Sequence, residues 1–412
     1  MRIAVATRTS DIIGGVEVYL DGLIPALHLE GHEIALVTER AGTPGVAGIA
    51  DRARHLGEYL PIDEVGLENT CHTLRMWRPD IVFAHGMANP AHDEQISKTG
   101  PVVFFMHGYH GTCISGTKCI TLPTMRPCHR TLGVQCLVRY YPQRCGGLSP
   151  FTLWQNYVLQ MRRLRMLRSR TAVVTHSDHM RRELIRHGVE DRRVHLLPFG
   201  VPRIAGAARP RCLVADAPLR LACVARLDAI KGVHLLIEAA ALVSERIGRS
   251  VHVQIVGDGP ERHRLVAQAA RVSRRHDVSF DFVGWVARAS LESVLSSAHL
   301  LAFPSAFAEP FGLVGAEASQ FGLPVVAFDH GGTKEWLRHR VNGCVASGTP
   351  PSASSLGSAI VACVSSPETY ARLQAGALQE SARFSLAAHI ARLTQVFDRV
   401  VREWNPSSCS IG

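Results

Sequence analysis

Residues 305–317 read Ser305-Ala-Phe-Ala-Glu309-Pro-Phe-Gly312-Leu-Val-Gly-Ala-Glu317. They follow the apolar run Leu300–Pro304 and lead into a helical pattern from Gly312 to Phe321. A short continuous apolar strand, a loop with Pro and Gly, then a helix is the local pattern of a parallel α/β sheet. The start of such a helix presents free N–H groups and a positive dipole end, which suit a diphosphate. Glu309 lies on the loop before the helix, where a carboxylate accepts hydrogen bonds from sugar hydroxyls. Glu317 lies about one turn inside, within reach of a ribose. Read singly, the same residues also fit a helix N-terminal charge and an exposed helix position.

The pattern repeats outward from this stretch. Toward the N-terminus it predicts strands at Leu219–Ala225, Val251–Val256 and Phe280–Val283, and beyond 305–317 another at Pro324–Phe328. Helices are predicted at Gly232–Arg246, Glu261–Val272, Ser290–Ala298 and Thr333–His339. The first half alternates likewise. Its strands are predicted at Arg2–Thr7, Glu33–Thr38, Asp80–Ala84, Val102–Met106, Ala172–Thr175 and Val194–Leu197, with helices such as Gly15–Leu29 and Asp178–His187. Between the halves, Val201 to Pro218 is rich in Ala, Arg, Pro and Gly and reads as a linker. The chain has 412 residues, more than the roughly 100–200 of one domain. The expected fold is therefore α/β: two Rossmann-like doubly wound domains facing a central cleft. The N-terminal domain would span 1–200, the linker 201–218 and the C-terminal domain 219–384. A C-terminal helix and tail, 385–412, carries Leu386, Ile390, Leu393, Val396, Phe397 and Val400 on one face and would cross back to the N-terminal domain.

Ligands in such sheets bind beyond the carboxyl ends of the strands, and several motifs fall there. Val224-Ala-Arg226-Leu-Asp-Ala-Ile-Lys231-Gly232 carries two cations into a turn, able to neutralise a diphosphate without a metal. Gly257-Asp-Gly259 ends another strand and admits close backbone approach, though Gly-Asp-Gly is also ordinary turn chemistry. Gly14-Gly15 follows the first strand and opens a helix. It is not a full G-x-G-x-x-G, so a dinucleotide site is poorly supported. His107-Gly108 ends the Val102–Met106 strand, where a histidine reads equally as structural or catalytic.

Residues 109–150 form an insert after His107 with Cys113, Cys119, Cys128, Cys136 and Cys145. Wide spacings and the absence of a C-x2-C pair leave two readings, a structural zinc site or small buried thiols. Next, 152–170 carries Trp154, Tyr157, Val158, Met161 and Leu164 at helical spacing, with Arg162, Arg163, Arg165, Arg168 and Arg170. This face packs on the core or lies on an anionic membrane. The net charge is +10, and residues 101–200 hold 15 Lys+Arg against 4 Asp+Glu, which points to an anionic partner or a solvated basic surface. No apolar run reaches the ~18–20 residues of a membrane helix, and the first residues lack a signal-peptide layout. The expected location is cytoplasmic, with peripheral association on the inner face of the membrane. No nucleic-acid-binding signature occurs, and no nucleic-acid partner is expected.

Taken in order, Gly14-Gly15, His107, Ser177, Arg226 with Lys231, Gly257-Asp-Gly259, Phe282-Val-Gly-Trp285, Glu309-x7-Glu317 and Gly322-Leu-Pro324 resemble the GT-B glycosyltransferases of family 4, a retaining group. The resemblance covers nearly the whole chain. It implies a retaining hexosyltransferase that takes a nucleotide-diphosphate sugar as donor and a glycan or lipid-linked acceptor, in cell-surface polysaccharide biosynthesis, with no cofactor required. Glu309 would contact donor sugar hydroxyls and Glu317 the ribose. Arg226 and Lys231 would hold the diphosphate, aided by amides near Phe311, Gly312 and Leu313. His107 would approach the donor sugar, and Gly14 and Gly15 would lie under the phosphates or the acceptor. No Asp-x-Asp occurs, in keeping with no metal at the active site. Many relatives have Pro-Asn-Gly-Val where this chain reads Pro198-Phe199-Gly200-Val201. Two other readings remain: a non-catalytic polyanion- or glycan-binding protein, motivated by the basic half, and a sugar-nucleotide epimerase on the same fold.

Overall fold

The computed structural model describes residues 1–404 apart from 13, 44, 47, 52–56, 170–171, 205–210, 215–216 and 287. In the first half the strands are β1 (Arg2–Thr9), β2 (Glu33–Arg40), β3 (Gly57–Pro61), β4 (Ile81–Ala84) and β5 (Val102–Met106). Then come a two-residue ribbon, β6 (Cys119–Ile120) with β7 (Arg126–Pro127), and two further strands, β8 (Ala172–Thr175) and β9 (Val194–Leu196). The second half adds β10 (Leu219–Val224), β11 (Val251–Val256), β12 (Val278–Gly284), β13 (Leu300–Phe303), β14 (Val325–Phe328) and β15 (Gly343–Ala346). The first sheet runs β3-β2-β1-β4-β5-β8-β9 and the second β12-β11-β10-β13-β14-β15. Every pairing in both is parallel. β4, β5, β8, β13 and β14 are buried almost throughout, as a sheet covered on both faces requires.

In each sheet the winding direction reverses once. The reversal lies between β1 and β4 in the first sheet and between β10 and β13 in the second. Loops leaving those strands open a crevice at the carboxyl edge, which is where a doubly wound sheet holds its ligand.

Beyond the ribbon β6–β7, two strands of the parallel sheets were not expected. β3 ends in Pro61 and β15 reads Gly-Cys-Val-Ala, and neither offers the bulky β-branched signal of the central strands. The helix expected at Thr333–His339 is instead a 3-10 turn, Gly331–Glu335. Its two glycines lie on the preceding loop; a Cβ on Gly332 would sit 2.1 Å from the Pro310 carbonyl oxygen. In the linker, Val201 pairs with Ser385, whereas 205–210 and 215–216 lie outside the described residues. The helix expected near 152–170 spans Pro150–Arg168, and its faces differ from expectation. Leu153, Gln160, Arg163, Leu164 and Leu167 are buried, while Trp154 and Val158 are exposed. Arg163 is buried against Asp93, and Arg162 pairs with Glu94 while still reaching solvent; Arg170 lies outside the described residues.

The helix Leu386–Glu403 packs back on the first half. Ile390, Leu393 and Phe397 are buried, Phe397 meets Phe83 edge-on at 5.1 Å, and His389 bonds the Pro198 carbonyl at 2.8 Å. Phe397→Ala should therefore cost about 3–5 kcal/mol in urea unfolding, and a loss below about 1 kcal/mol would show that this helix does not anchor the fold.

Candidate active site

Loops from the two strands flanking the second reversal meet in one ion pair. Lys231 follows β10, and Glu309 follows β13. Lys231 Nζ donates to Glu309 Oε1 at 2.6 Å, and Ser305 Oγ donates to the same oxygen at 2.5 Å. The Lys231 ammonium also lies 4.9 Å from the centre of the Phe307 ring. Glu309 is buried, while Lys231 keeps 22% of its side chain exposed. The pair forms one wet-edged charge site at the mouth of the crevice. Removing one partner of a fully buried pair costs roughly 3–5 kcal/mol, and less here because Lys231 reaches water.

The loop is held from behind. His330 bonds the Ser305 carbonyl at 2.8 Å, the Gly332 amide donates to the Glu309 carbonyl at 2.7 Å, and Trp336 Nε1 donates to the Phe311 carbonyl at 2.6 Å. Gly312 then adopts φ +86, and its missing Cβ leaves room for the Phe303 ring, which would lie 2.7 Å away. The helix Leu313–Gln320 starts there with no side-chain cap, so its first N–H groups and positive dipole end face the loop.

The first half clamps the same loop from the front. Tyr109 donates its hydroxyl to the Ala308 carbonyl at 2.5 Å and contacts His179 Nε2 at 2.7 Å. Burial pushes the Tyr109 phenol well above its usual range, so it remains a donor. Ser177 caps the helix Asp178–Arg186 and donates to the Pro310 carbonyl at 2.5 Å. The Asp178 amide donates to Glu335 at 2.7 Å. Phe199 completes the junction, 4.5 Å from the His176 ring and 5.1 Å from the Phe311 ring. The departure from Pro-Asn-Gly-Val thus places an aromatic ring in an aromatic junction.

His107, at the end of β5, lies beside this clamp. Its Nε2 is 2.7 Å from His85 Nδ1 at the end of β4, which leaves Nδ1 as the ring atom available to a ligand. Burial, then the neighbouring histidines, holds His107 well below its ordinary value. Burial likewise lowers His85 and His176 to about 3 and His389 to about 4. All four rings are neutral at physiological pH.

Two family models divide the chain: "Glycosyltransferase Family 4" matches residues 13–203, and "Glycosyl transferases group 1" matches 209–380. The chain belongs to this glycosyltransferase family. A D-inositol 3-phosphate glycosyltransferase of Thermobispora bispora is 32% identical over 208 residues, covering 48% of this chain and 46% of that protein. The matches span about a third to a half of the length of such curated relatives. Among solved structures, Anabaena HepE in complex with UDP has a TM-score of 0.70 at 18% identity, covering 97% of this chain and 100% of that one. WaaG, a glycosyltransferase involved in lipopolysaccharide biosynthesis, has a TM-score of 0.64 at 15% identity, covering 96% and 99%. At such identities the likeness is one of fold, the two-domain GT-B architecture.

Within that architecture the expected site residues separate into groups. Lys231, Glu309, Phe311, Gly312 and Leu313 come together. Glu317 is buried in the following helix. Arg226 stands apart from Lys231; its side chain is 72% exposed and pairs with Asp228. Gly257 and Gly259 answer a packing need, because Cβ atoms there would lie 2.1 Å from the Ala225 carbonyl oxygen and 2.7 Å from that of Leu227. Gly14 and Gly15 are exposed at an uncapped helix start. Cys113, Cys119, Cys128, Cys136 and Cys145 all line one cavity of about 30 Å³. Among the described residues no three His, Cys, Asp or Glu side chains are arranged to hold a metal ion. Loops of five to eight residues between thiols spread them around the cavity wall. Burial pushes Cys119 up to about 12 and Cys145 to about 11.

Tyr109, His85, Ser305 and Trp336 were not singled out from sequence. Tyr109 and His85 do stand just past strand ends, which was the available signal. A second cavity, of about 530 Å³, opens at the carboxyl ends of β2 and β3, lined by Glu39, Arg40, Asp63, Ala88, Asn89 and Leu159.

The four neutral histidines make an acid-labile junction. Their folded values lie below the unfolded value of about 6.5, so stability is full above pH 6.5 and is lost as pH falls toward 4. Below pH 6.5 the unfolded chain binds up to four more protons, a slope of up to about 5 kcal/mol per pH unit. Unfolding measured from pH 7 to 5 should show this loss, and His389→Gln should reduce the slope by about a quarter; a flat profile would contradict neutral burial.

Proposed function

We propose that the chain transfers a hexosyl group from a nucleotide-diphosphate sugar to a hydroxyl of a glycan or lipid-linked acceptor, with retention of anomeric configuration. The observation that carries this reading is the Lys231–Glu309–Ser305 cluster beside the uncapped start of Leu313–Gln320. A diphosphate needs cations and N–H donors, and a sugar needs a carboxylate, and this place in the fold offers both. Lys231 exchanges Glu309 for the diphosphate and stabilises the negative charge that grows on the leaving group. Glu309, released, accepts hydroxyls of the donor sugar. Arg226 turns from Asp228 to add a second cation, and Glu317 serves the ribose. His107 presents Nδ1 to the sugar, held by His85. Gly14 and Gly15 leave the helix Gly15–Leu29 open toward the phosphates or acceptor. The cavity beside Glu39 and Asn89 is of a size for a sugar acceptor. UDP is the first donor base to test, since HepE is a UDP complex.

Involvement in cell-surface polysaccharide assembly, at the inner membrane face, is the setting we favour. WaaG, of the same fold, is described for lipopolysaccharide biosynthesis. A non-catalytic polyanion binder would have no use for a buried carboxylate bonded to its lysine. An epimerase would isomerise nucleotide sugar without any acceptor.

Thermal unfolding with a panel of nucleoside diphosphates tests the reading. One base, at about a hundred times its dissociation constant, should add roughly 2.7 kcal/mol, and Lys231→Ala should abolish most of the shift. Glu309→Gln should keep the shift while transfer falls by about 10²–10³. A folded wild-type chain with no shift from any nucleotide would sink the proposal.

A further inference from the structure

The insert between β5 and β8 folds over its own small core of Ile114, Leu132, Tyr140, Leu153 and Leu164. Leu153 and Leu164 come from the helix Pro150–Arg168, while the short helix Val134–Arg139 buries no residue fully and lays only the half-buried Cys136 and Leu137 against that core. Both helices are also apolar on the outside. Val134 and Val138 stand one turn apart, and Phe151, Trp154 and Val158 follow at helical spacing, with Leu148 just before them. Val134, Val138, Leu148 and Phe151 are each exposed by 66% or more. Apolar side chains as exposed as these have no packing role in the fold.

The stretch of chain that carries this face has charge of one sign. No Asp or Glu occurs between Glu94 and Asp178, a span that holds eleven Lys and Arg. Arg126, Arg139 and Arg144 are exposed and form no salt bridge among the described residues. A two-fold contact between copies of this chain would set these arginines against each other. Exposed apolar side chains that include Trp and Phe, on the same insert as exposed arginines without salt bridges, match an anionic bilayer surface, where aromatic rings sit at headgroup depth and each cation adds attraction. No described helix is long and apolar enough to cross a membrane, so the contact is interfacial.

We propose that the exposed face formed by Val134, Val138, Leu148, Phe151, Trp154 and Val158, with Arg139 and Arg144, docks this protein on an anionic lipid bilayer. It rests on the membrane-surface part of the reading above and assigns that role to the insert rather than to the arginine-rich end of the helix. The next residue after Val158 is Leu159, which lines the 530 Å³ cavity. One helix therefore meets the lipid on one side and walls the acceptor-side cavity on another, so an acceptor embedded in the bilayer would enter along it.

The test is co-sedimentation of the full chain with vesicles of phosphatidylcholine alone and of phosphatidylcholine with 30% phosphatidylglycerol, at low and at 0.5 M salt. Binding to the anionic vesicles is expected. It should fall at least about tenfold for Phe151→Ser with Trp154→Ser and about fivefold for each of Arg139→Gln and Arg144→Gln. These side chains are exposed, so nucleotide-induced stabilisation should be unchanged and reports folding and donor binding separately. Absence of vesicle binding with that stabilisation intact overturns this inference alone. Equal binding by the variants, or binding to a soluble polyanion but not to vesicles, overturns it as well.

Discussion

A buried carboxylate must be compensated, and in this chain the compensation for Glu309 organises the cleft. Lys231 and Ser305 converge on one of its oxygens. Lys231 arrives from the loop after β10 and Ser305 from the loop after β13, so both strands flanking the reversal of the second sheet are fixed by one carboxylate. The charge pair sits at the edge of the crevice, with Lys231 partly in water. It is stable enough to set the loop and open enough for a diphosphate to compete for the ammonium.

The same loop is where the two halves meet. Tyr109 and Ser177 give their hydroxyl protons to consecutive stretches of its backbone, at Ala308 and Pro310. Behind Ser177 the junction is aromatic, with His176, Phe199 and Phe311 in contact and His389 brought in by the returning C-terminal helix. Backbone carbonyls rather than side chains are gripped, so the clamp depends on the loop's path, and the path depends on Gly312, Gly332 and Trp336. The catalytic proposal and the fold thus share one set of contacts: a change that shifts the loop shifts the carboxylate and the uncapped helix start together.

Much of this was legible in the sequence because parallel α/β strands are continuous apolar runs whose ends carry loop residues. The central strands β1, β5, β10, β11 and β13 stand where the apolar runs stand, and Lys231, Glu309 and Gly312 meet as their strand-end positions imply. β3 and β15 escaped notice because short edge strands with Pro or Gly carry little β signal. Tyr109 escaped because its partner is a carbonyl 199 residues away, which no local pattern encodes. Gly257 and Gly259 were visible, but close approach to a ligand and close approach to the Ala225 and Leu227 backbone look alike in sequence. The helix Pro150–Arg168 had its apolar residues in view and its faces mistaken, since two apolar faces on one helix do not announce which is inside.

The central claim is that Lys231 leaves Glu309 to hold a donor diphosphate at the start of Leu313–Gln320. A crystal structure of the chain with a stabilising nucleoside diphosphate tests it directly. The account predicts diphosphate oxygens within hydrogen-bond distance of Lys231 Nζ and of the first amides of that helix, with Glu309 freed toward the sugar position. A diphosphate bound elsewhere, with Lys231 still on Glu309, would contradict it.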